Sequence, residues 1–429
     1  MNIITKYTNK VSRSSFFRDS FWAILGSVCG KGLSLLASIA VARFLGKEVY
    51  GEYGTIRNML VYVAIVSTIG FGYSATKFIV EYIESHQEKL RSLAYSIEYI
   101  TILISAILML GVILTAQTLA ELLDAPSLKQ TLQLFSPLIV LNALTSTQIA
   151  IMSGFKIFKG MVWLNAVAGI VLFIFSVLLT PLYGLNGSLI ALTLSFLVQT
   201  VISQVLIQKY LAVTPYQKRV SGRELFSMLK FSLPVALQEG LYVVVHWLTL
   251  WILIHYSNYG EVGLSSAASL WLAVVIFIPS VLKNVMFSYL SSAENHSIMV
   301  KRMLQINFAT TTIPVLILIV GADLIAKFYG SSFDGVAGVI RVTLCSAIFI
   351  SMAEVFCYEI ISIGKPWLAF WARFIRDSLI LLLAFFMIQQ VGESQALWMA
   401  VCSLIGNVLF FLLLAIFYKR TSVVSQTNG

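Results

Sequence analysis

Lys31 interrupts an apolar run that extends from Phe21 to about Phe44. An ammonium group in hydrocarbon is costly, so an ionisable residue there is by default a functional hypothesis. It sits about eleven residues into the run, roughly 16 Å deep at the 1.5 Å rise of a helix. Ser27, Lys31, Ser34 and Ser38 follow at i, i+4, i+7 and i+11 and share one helix face. A cation on such a polar stripe suits an anionic group. A matching stripe, Glu239, Tyr242, His246 and Thr249, lies in a later apolar run. There Glu239 or His246 is suited to coupling with an ion or a proton. The competing reading is a structural ion pair between Lys31 and Glu239, worth little or nothing net in stability. His246 is explained equally well as a neutral histidine bonded to a neighbouring helix.

Glu354, with Ser351 and Tyr358 on its face, is a third candidate for ion coupling, and a structural role explains it equally well; Glu359 lies nearer the interface. Lys77, Lys283, Arg373 and Arg376 fall at the inner ends of apolar runs, where long stems snorkel to lipid headgroups. Arg373, Arg376 and Asp377 are expected to form a solvated or interfacial cluster. Arg57, at the outer start of the second run, opposes the distribution of the other cations and could face a cavity mouth. Tyr242, Trp247, Trp271 and Trp371 are candidates for stacking on sugar rings. The candidate substrate-binding residues are therefore Lys31, Arg57, Lys77 and Tyr242, and the candidate coupling residues Glu239, His246 and Glu354.

The elements that must position these groups follow from composition. Of 429 residues, 59% are hydrophobic and 11% charged, and the mean hydropathy is +0.89. Soluble domains carry roughly a quarter charged residues, and a bilayer is crossed by about 20 apolar residues. Apolar runs fall at about 20–44, 56–80, 92–120, 131–154, 160–181, 185–211, 229–256, 262–289, 301–328, 337–363, 367–390 and 395–418. The weakest boundary is Thr180-Pro181-Leu182-Tyr183-Gly184, where Pro and Gly alone mark a turn. The expected fold is an all-α integral membrane protein of about twelve transmembrane helices.

With the N-terminus inside, 22 of the 29 Lys and Arg residues fall on the cytoplasmic side and six outside, with Lys31 in the membrane. That asymmetry places both termini in the cytoplasm. It also accounts for the net charge of +10 without a nucleic-acid partner. Tyr50-Gly51-Glu52 recurs as Tyr259-Gly260-Glu261, an offset of 209, and Asp124 and Gly154 are echoed by Asp334 and Gly364 at 210. An even number of helices per half makes this a parallel repeat, two six-helix bundles around a central cavity. The expected organisation is a first half over 1–211, a basic cytoplasmic linker over 212–228, and a second half over 229–429.

Cys29, Cys345, Cys357 and Cys402 lie in apolar runs with no CxxC and no His cluster, so neither disulfide nor metal is expected. The basic N-terminus resembles a secretory leader, but no A-x-A-like cleavage site follows and the first run is expected to stay attached. No GxxxxGK[ST], HExxH or GxSxG is present. No cofactor and no catalytic activity are expected.

The first eighty residues carry a pattern: Phe21-Trp22, then Ala42-Arg43-Phe44-Leu45-Gly46, Tyr50-Gly51-Glu52-Tyr53-Gly54, Gly70-Phe71-Gly72 and Ala75-Thr76-Lys77-Phe78. It resembles the Wzx-type polysaccharide flippases of the multidrug/oligosaccharidyl-lipid/polysaccharide exporter superfamily. The likeness continues in the helix count, the two-half layout and the Gly-Lys-Pro turn at 364–366. It implies a bacterial inner-membrane flippase that moves undecaprenyl-diphosphate-linked oligosaccharide from the cytoplasmic to the periplasmic leaflet. It implies alternating access coupled to H+ or Na+, with the polysaccharide polymerase and chain-length regulator as candidate partners. A drug exporter of the same superfamily is the nearest rival, and Lys31 argues against it while Glu239 and Glu354 argue for it. A membrane glycosyltransferase or polymerase would need a large catalytic loop, which the spacing of the runs leaves no room for.

Overall fold

In the computed structural model, which describes residues 13–68, 70–212, 218–291, 296–362 and 365–427, the chain is helical almost throughout. No strand occurs among the described residues. The helices are α1 (Arg13–Ser67), α2 (Phe71–Ser85), α3 (Leu90–Leu122), α4 (Lys129–Phe135), α5 (Pro137–Gly154) and α6 (Phe158–Leu211). They continue as α7 (Gly222–Tyr256), α8 (Tyr259–Ser291), α9 (His296–Val320), α10 (Ala322–Tyr329), α11 (Val336–Ser362), α12 (Pro366–Gln390) and α13 (Gln395–Thr427). Among the described residues, seven stretches are long and apolar enough to cross a bilayer. Gly364 and the side chains of Ser27, Cys29 and Lys283 lie outside the description.

Two helices are double. The 54 residues of α6 break only at Gly184 (φ 55°, ψ −131°), a backbone state open to glycine and little else. The turn expected over Thr180–Gly184 is thus one residue. A Cβ on Gly187 would lie 2.0 Å from the Leu179 carbonyl oxygen, and Ser195 Oγ donates to Ala168 O at 3.0 Å. The arms of α6 therefore fold back on each other.

The 55 residues of α1 turn at Gly46 (φ 73°) and continue as helix through Ser67. The polar stretch after Gly46 reads as a loop from hydropathy, yet it is helical because close packing holds it. Tyr50 and Tyr53 are buried, Tyr50 lies edge-on to Phe333 at 5.8 Å, and a Cβ on Gly51 would fall 1.9 Å from Tyr259 O. Gly263 meets Lys47 O in the same way at 2.1 Å. The first and second copies of the Tyr-Gly-Glu repeat thus pack against each other, and their glycines serve close helix contact rather than turns.

The chain forms two compact units. One comprises the described parts of Met1–Ser38 and Ile56–Val243, the other Ile39–Thr55 with the described part of Val244–Gly429. The core of the first includes Ile79, Leu93, Ile97, Ile151, Leu164 and Ile207. Within it a Cβ on Gly154 would sit 2.6 Å from Ile79 Cβ, and Thr76 Oγ1 donates to Ala150 O at 2.8 Å, so α5 lies close on α2. The core of the second includes Val355, Phe356, Ala372, Phe410 and Leu414. Large apolar side chains also face outward, Leu114 and Val320 at 83% exposure and Trp163 at 72%. So much exposed apolar surface suits lipid and not water. Cys345, Cys357 and Cys402 lie within helices and form no disulfide among the described residues.

Helix α7 begins at Gly222, ahead of the apolar run expected from 229. Its start is a reciprocal cap. Ser221 N–H donates to Glu224 Oε2 at 2.7 Å, and Glu224 N–H to Ser221 Oγ at 3.3 Å. Val220 N–H donates to Ser92 Oγ and Lys218 N–H to Glu88 O, which ties this start to the α2–α3 turn.

Candidate functional site

In the first unit, the inner arm of α1 crosses α6 at glycines. A Cβ on Gly30 would lie 2.5 Å from Asn165 O, and one on Gly169 2.7 Å from Gly30 O. Lys31, the next residue, is exposed. The polar stripe around it is narrower than expected. Ser34 Oγ donates to Gly30 O at 2.9 Å within the helix, and Ser38 is buried.

Arg57 is not at the start of a span, as the hydropathy boundaries suggest. The helix already runs from Gly46, so Arg57 lies about 16 Å along it at 1.5 Å per residue, half-buried. It acts electrostatically on the Tyr62 hydroxyl, as does Tyr242. The Tyr62 and Tyr242 rings stand edge-on at 6.5 Å, an arrangement favoured by the ring quadrupoles. Arg57 and Tyr242, singled out separately from the sequence, are thereby joined through Tyr62, which was not. Among the described residues Arg57 forms no ion pair. Glu239 is half-buried one turn before Tyr242 on α7.

Lys77 does not simply reach for headgroups. Its Nζ lies 3.6 Å from the centre of the Phe231 ring and 6.0 Å from that of Phe78, and the two rings meet edge-on at 5.5 Å. The ammonium is held by ring faces, with no carboxylate partner among the described residues.

In the second unit, Glu354 is compensated. Arg373 Nη2 donates to Glu354 Oε1 at 2.8 Å, and Tyr358 also hydrogen-bonds to this carboxylate. Arg373 therefore leaves the cluster expected with Arg376, because an acid at reach within the helix packing outcompetes a headgroup. Arg376 pairs with Asp377 at 2.7 Å and lies 4.8 Å from the centre of the Phe410 ring. Asp377 is 7% exposed, so this pair is packed rather than solvated. His246 is half-buried on the part of α7 that belongs to this unit.

One group escaped the sequence reading. Glu98 on α3 is 6% exposed. Its Oε1 accepts from Gln148 Nε2 and its Oε2 from Gln204 Nε2, each at 3.3 Å, and Gln148 Nε2 also donates to Gln204 Oε1 at 2.7 Å. Three helices, α3, α5 and α6, thus close a ring of side chains in the first unit. Glu98 lies only about six residues into the expected third run, roughly 9 Å deep, and was not singled out. The missed signal was three long polar side chains in three separate apolar runs.

The sequence profile of a family described as "Polysaccharide biosynthesis protein" matches residues 16–294. No curated protein sequence matches the chain. Among solved structures, an inward-facing multidrug resistance MATE family transporter of the MOP superfamily superposes with a TM-score of 0.79 at 15% identity, covering 93% of this chain and 96% of that one. The lipid II flippase MurJ in an inward closed conformation gives 0.74 at 15% identity, covering 92% and 87%. A MATE transporter in complex with MaD3S gives 0.67 at 12%, covering 94% and 96%. These likenesses establish the fold, the all-helical one that these three structures share.

Proposed function

Because the chain belongs to the polysaccharide biosynthesis protein family, we propose that it is a flippase that carries undecaprenyl-diphosphate-linked oligosaccharide from the cytoplasmic to the periplasmic leaflet of the bacterial inner membrane. The observation that carries this reading is Arg57. A guanidinium about 16 Å along α1 from its turn, without an ion-pair partner among the described residues and within electrostatic reach of Tyr62, whose ring stands edge-on to Tyr242, suits a ligand with both an anion and a sugar. A guanidinium grips phosphate through paired N–H donors, and tyrosine faces stack on sugar rings. Lys31 is a second cation on the same unit, and Lys77, held on Phe231, a third. Transport is driven by an H+ or Na+ gradient through alternating access, and the polymerase and chain-length regulator take the product on the far side. Export of cationic drugs is less well supported, because Glu354, a carboxylate that such a reading needs, is neutralised by Arg373.

Complementation of a flippase-null strain tests this. Lys31→Ala and Arg57→Ala are each expected to lower surface polysaccharide by about tenfold or more, as expected when a contact worth about 1.4 kcal/mol is lost, while the protein still inserts. Wild-type polysaccharide in both variants would sink the anion role.

A further inference from the structure

We infer that Glu98 is a proton-binding site of the first unit, and that the ring it forms with Gln148 and Gln204 is the device through which a bound proton alters helix contacts. The inference rests on the transport reading only for what the proton drives.

A carboxylate at membrane depth needs compensation. Glu98 has two amide donors at 3.3 Å, beyond the 2.7–2.9 Å of charge-assisted bonds. No Lys, Arg or His is bonded to it among the described residues. The helices around it offer no substitute. α5 carries no ionisable residue, and on α6 Lys159, Tyr183, Lys209 and Tyr210 are all exposed. On α2, Lys77 lies on Phe231, and Glu81, Tyr82 and Glu84 add no positive charge. On α3 itself, Arg91 lies beside the Tyr95 ring at 5.9 Å, and Tyr99 and Glu121 add no cation; Lys129 opens α4. An acceptor for an added proton is at hand: Gln148 Oε1 is buried with no hydrogen-bond partner, on a side chain 1% exposed.

A proton removes the uncompensated charge. It adds to Glu98 Oε1, converting the carboxylate to a neutral acid. Gln148 then turns its amide to present Oε1 and accept the new O–H, which breaks the hydrogen bonds its N–H gave to Glu98 Oε1 and Gln204 Oε1, while Gln204 keeps its N–H on Glu98 Oε2; the ring opens between Gln148 and Gln204. No covalent bond other than O–H forms or breaks, and the proton comes from bulk water. A metal ion fits less well, since N–H groups occupy both carboxylate oxygens. The ring sits among further polar cross-links, Thr101 to Thr147 at 3.2 Å and Thr145 to Thr200 at 2.9 Å. Opening it therefore changes contacts among α3, α5 and α6 together.

The test is pH-difference infrared spectroscopy on the full-length protein in liposomes without cargo. Wild type is expected to show a titrating buried-carboxyl C=O band that is lost in Glu98→Gln. Gln148→Leu, which removes the facing amide, is expected to retain the band with its midpoint moved by about one pH unit. Overturning results are a band that persists in Glu98→Gln, a midpoint unmoved in Gln148→Leu, or a response that follows Na+ at constant pH. Cargo plays no part in the measurement, so a failed complementation by wild type and a missing band are separate outcomes.

Discussion

Each unit holds a carboxyl group at membrane depth, and the two are treated in opposite ways. Glu98 in the first unit is caged by neutral amides, whereas Glu354 in the second is paired with Arg373 and bonded by Tyr358. At the repeat offset of 209, Glu98 corresponds to Asn307. Asn307 Nδ2 donates to Ser351 O at 2.9 Å, and its Oδ1 is buried without a partner. Where the first half carries an acid, the second carries a neutral amide. An acid among amides can gain or lose charge without breaking an ion pair, and an ion-paired acid cannot. The first unit, which also carries Lys31, Arg57 and Lys77, is built to respond; the pair in the second is built to hold.

The largest effect that would break this contrast is on stability. Arg373→Met leaves the Glu354 carboxylate without its guanidinium and is expected to cost about 2–3 kcal/mol. That is below the roughly 3–5 kcal/mol for a fully buried pair, because the two side chains retain 23% and 28% exposure. Glu98→Gln keeps shape and one of the two acceptor oxygens, and should cost about 1 kcal/mol, the scale of one misplaced hydrogen bond. Unfolding in detergent measures both, and the reverse ranking would remove the distinction between a holding pair and a titrating cage.

Next in size are the glycine crossings, one in each unit. Gly263→Ala would drive a Cβ to 2.1 Å from Lys47 O, and Gly30→Ala to 2.5 Å from Asn165 O. Backbone atoms cannot swing aside, so each should cost about 1–3 kcal/mol, as overpacking does, with Gly263 the greater. Gly54→Ala meets chiefly the Ser266 hydroxyl at 2.7 Å, a side chain that can rotate, and should cost less. Equal losses at all three positions in the same unfolding assay would show that contact distance does not set the cost.

Hydropathy made the helical membrane class legible because that signal is summed over hundreds of residues. Local packing was not legible in the same way. The Tyr50-Gly51-Glu52 segment reads as a polar loop, and its helix depends on Tyr259 and Phe333, partners over 200 residues away in sequence. Arg57 was misplaced for that reason, since its depth follows from where α1 turns. The Ser221–Glu224 cap was readable as S-x-x-E but lay inside a stretch taken for linker. Lys31 stood out because one charge in an apolar run is conspicuous. Glu98 did not, because only the meeting of α3, α5 and α6 brings its amide partners together. Arg373 looked like an anchor because nothing in its own run shows that Glu354 is within reach.

The smallest effect concerns charge at the edge of the first unit, where an ion pair does titrate. Lys89 Nζ donates to Glu224 Oε1 at 2.6 Å. That bond first, and the Ser221 backbone N–H second, hold the Glu224 carboxyl down at about 2 from an ordinary 4.5. A depressed carboxyl contributes stability that is complete above its unfolded value and is lost as pH falls through its folded one. The contribution should therefore fade between about pH 4.5 and about pH 2. The pair is partly exposed, at 20% and 29%, so solvent screening keeps it to about 1 kcal/mol or less. Lys89→Met is expected to flatten the acid limb of a urea-unfolding series taken across that range, with the helix cap left in place. The Arg373–Glu354 pair lies away from such an edge, so Arg373→Met should lower stability already at neutral pH, by more than Lys89→Met does there. An equal loss at pH 7 from both variants would mean that the two units handle their ion pairs alike.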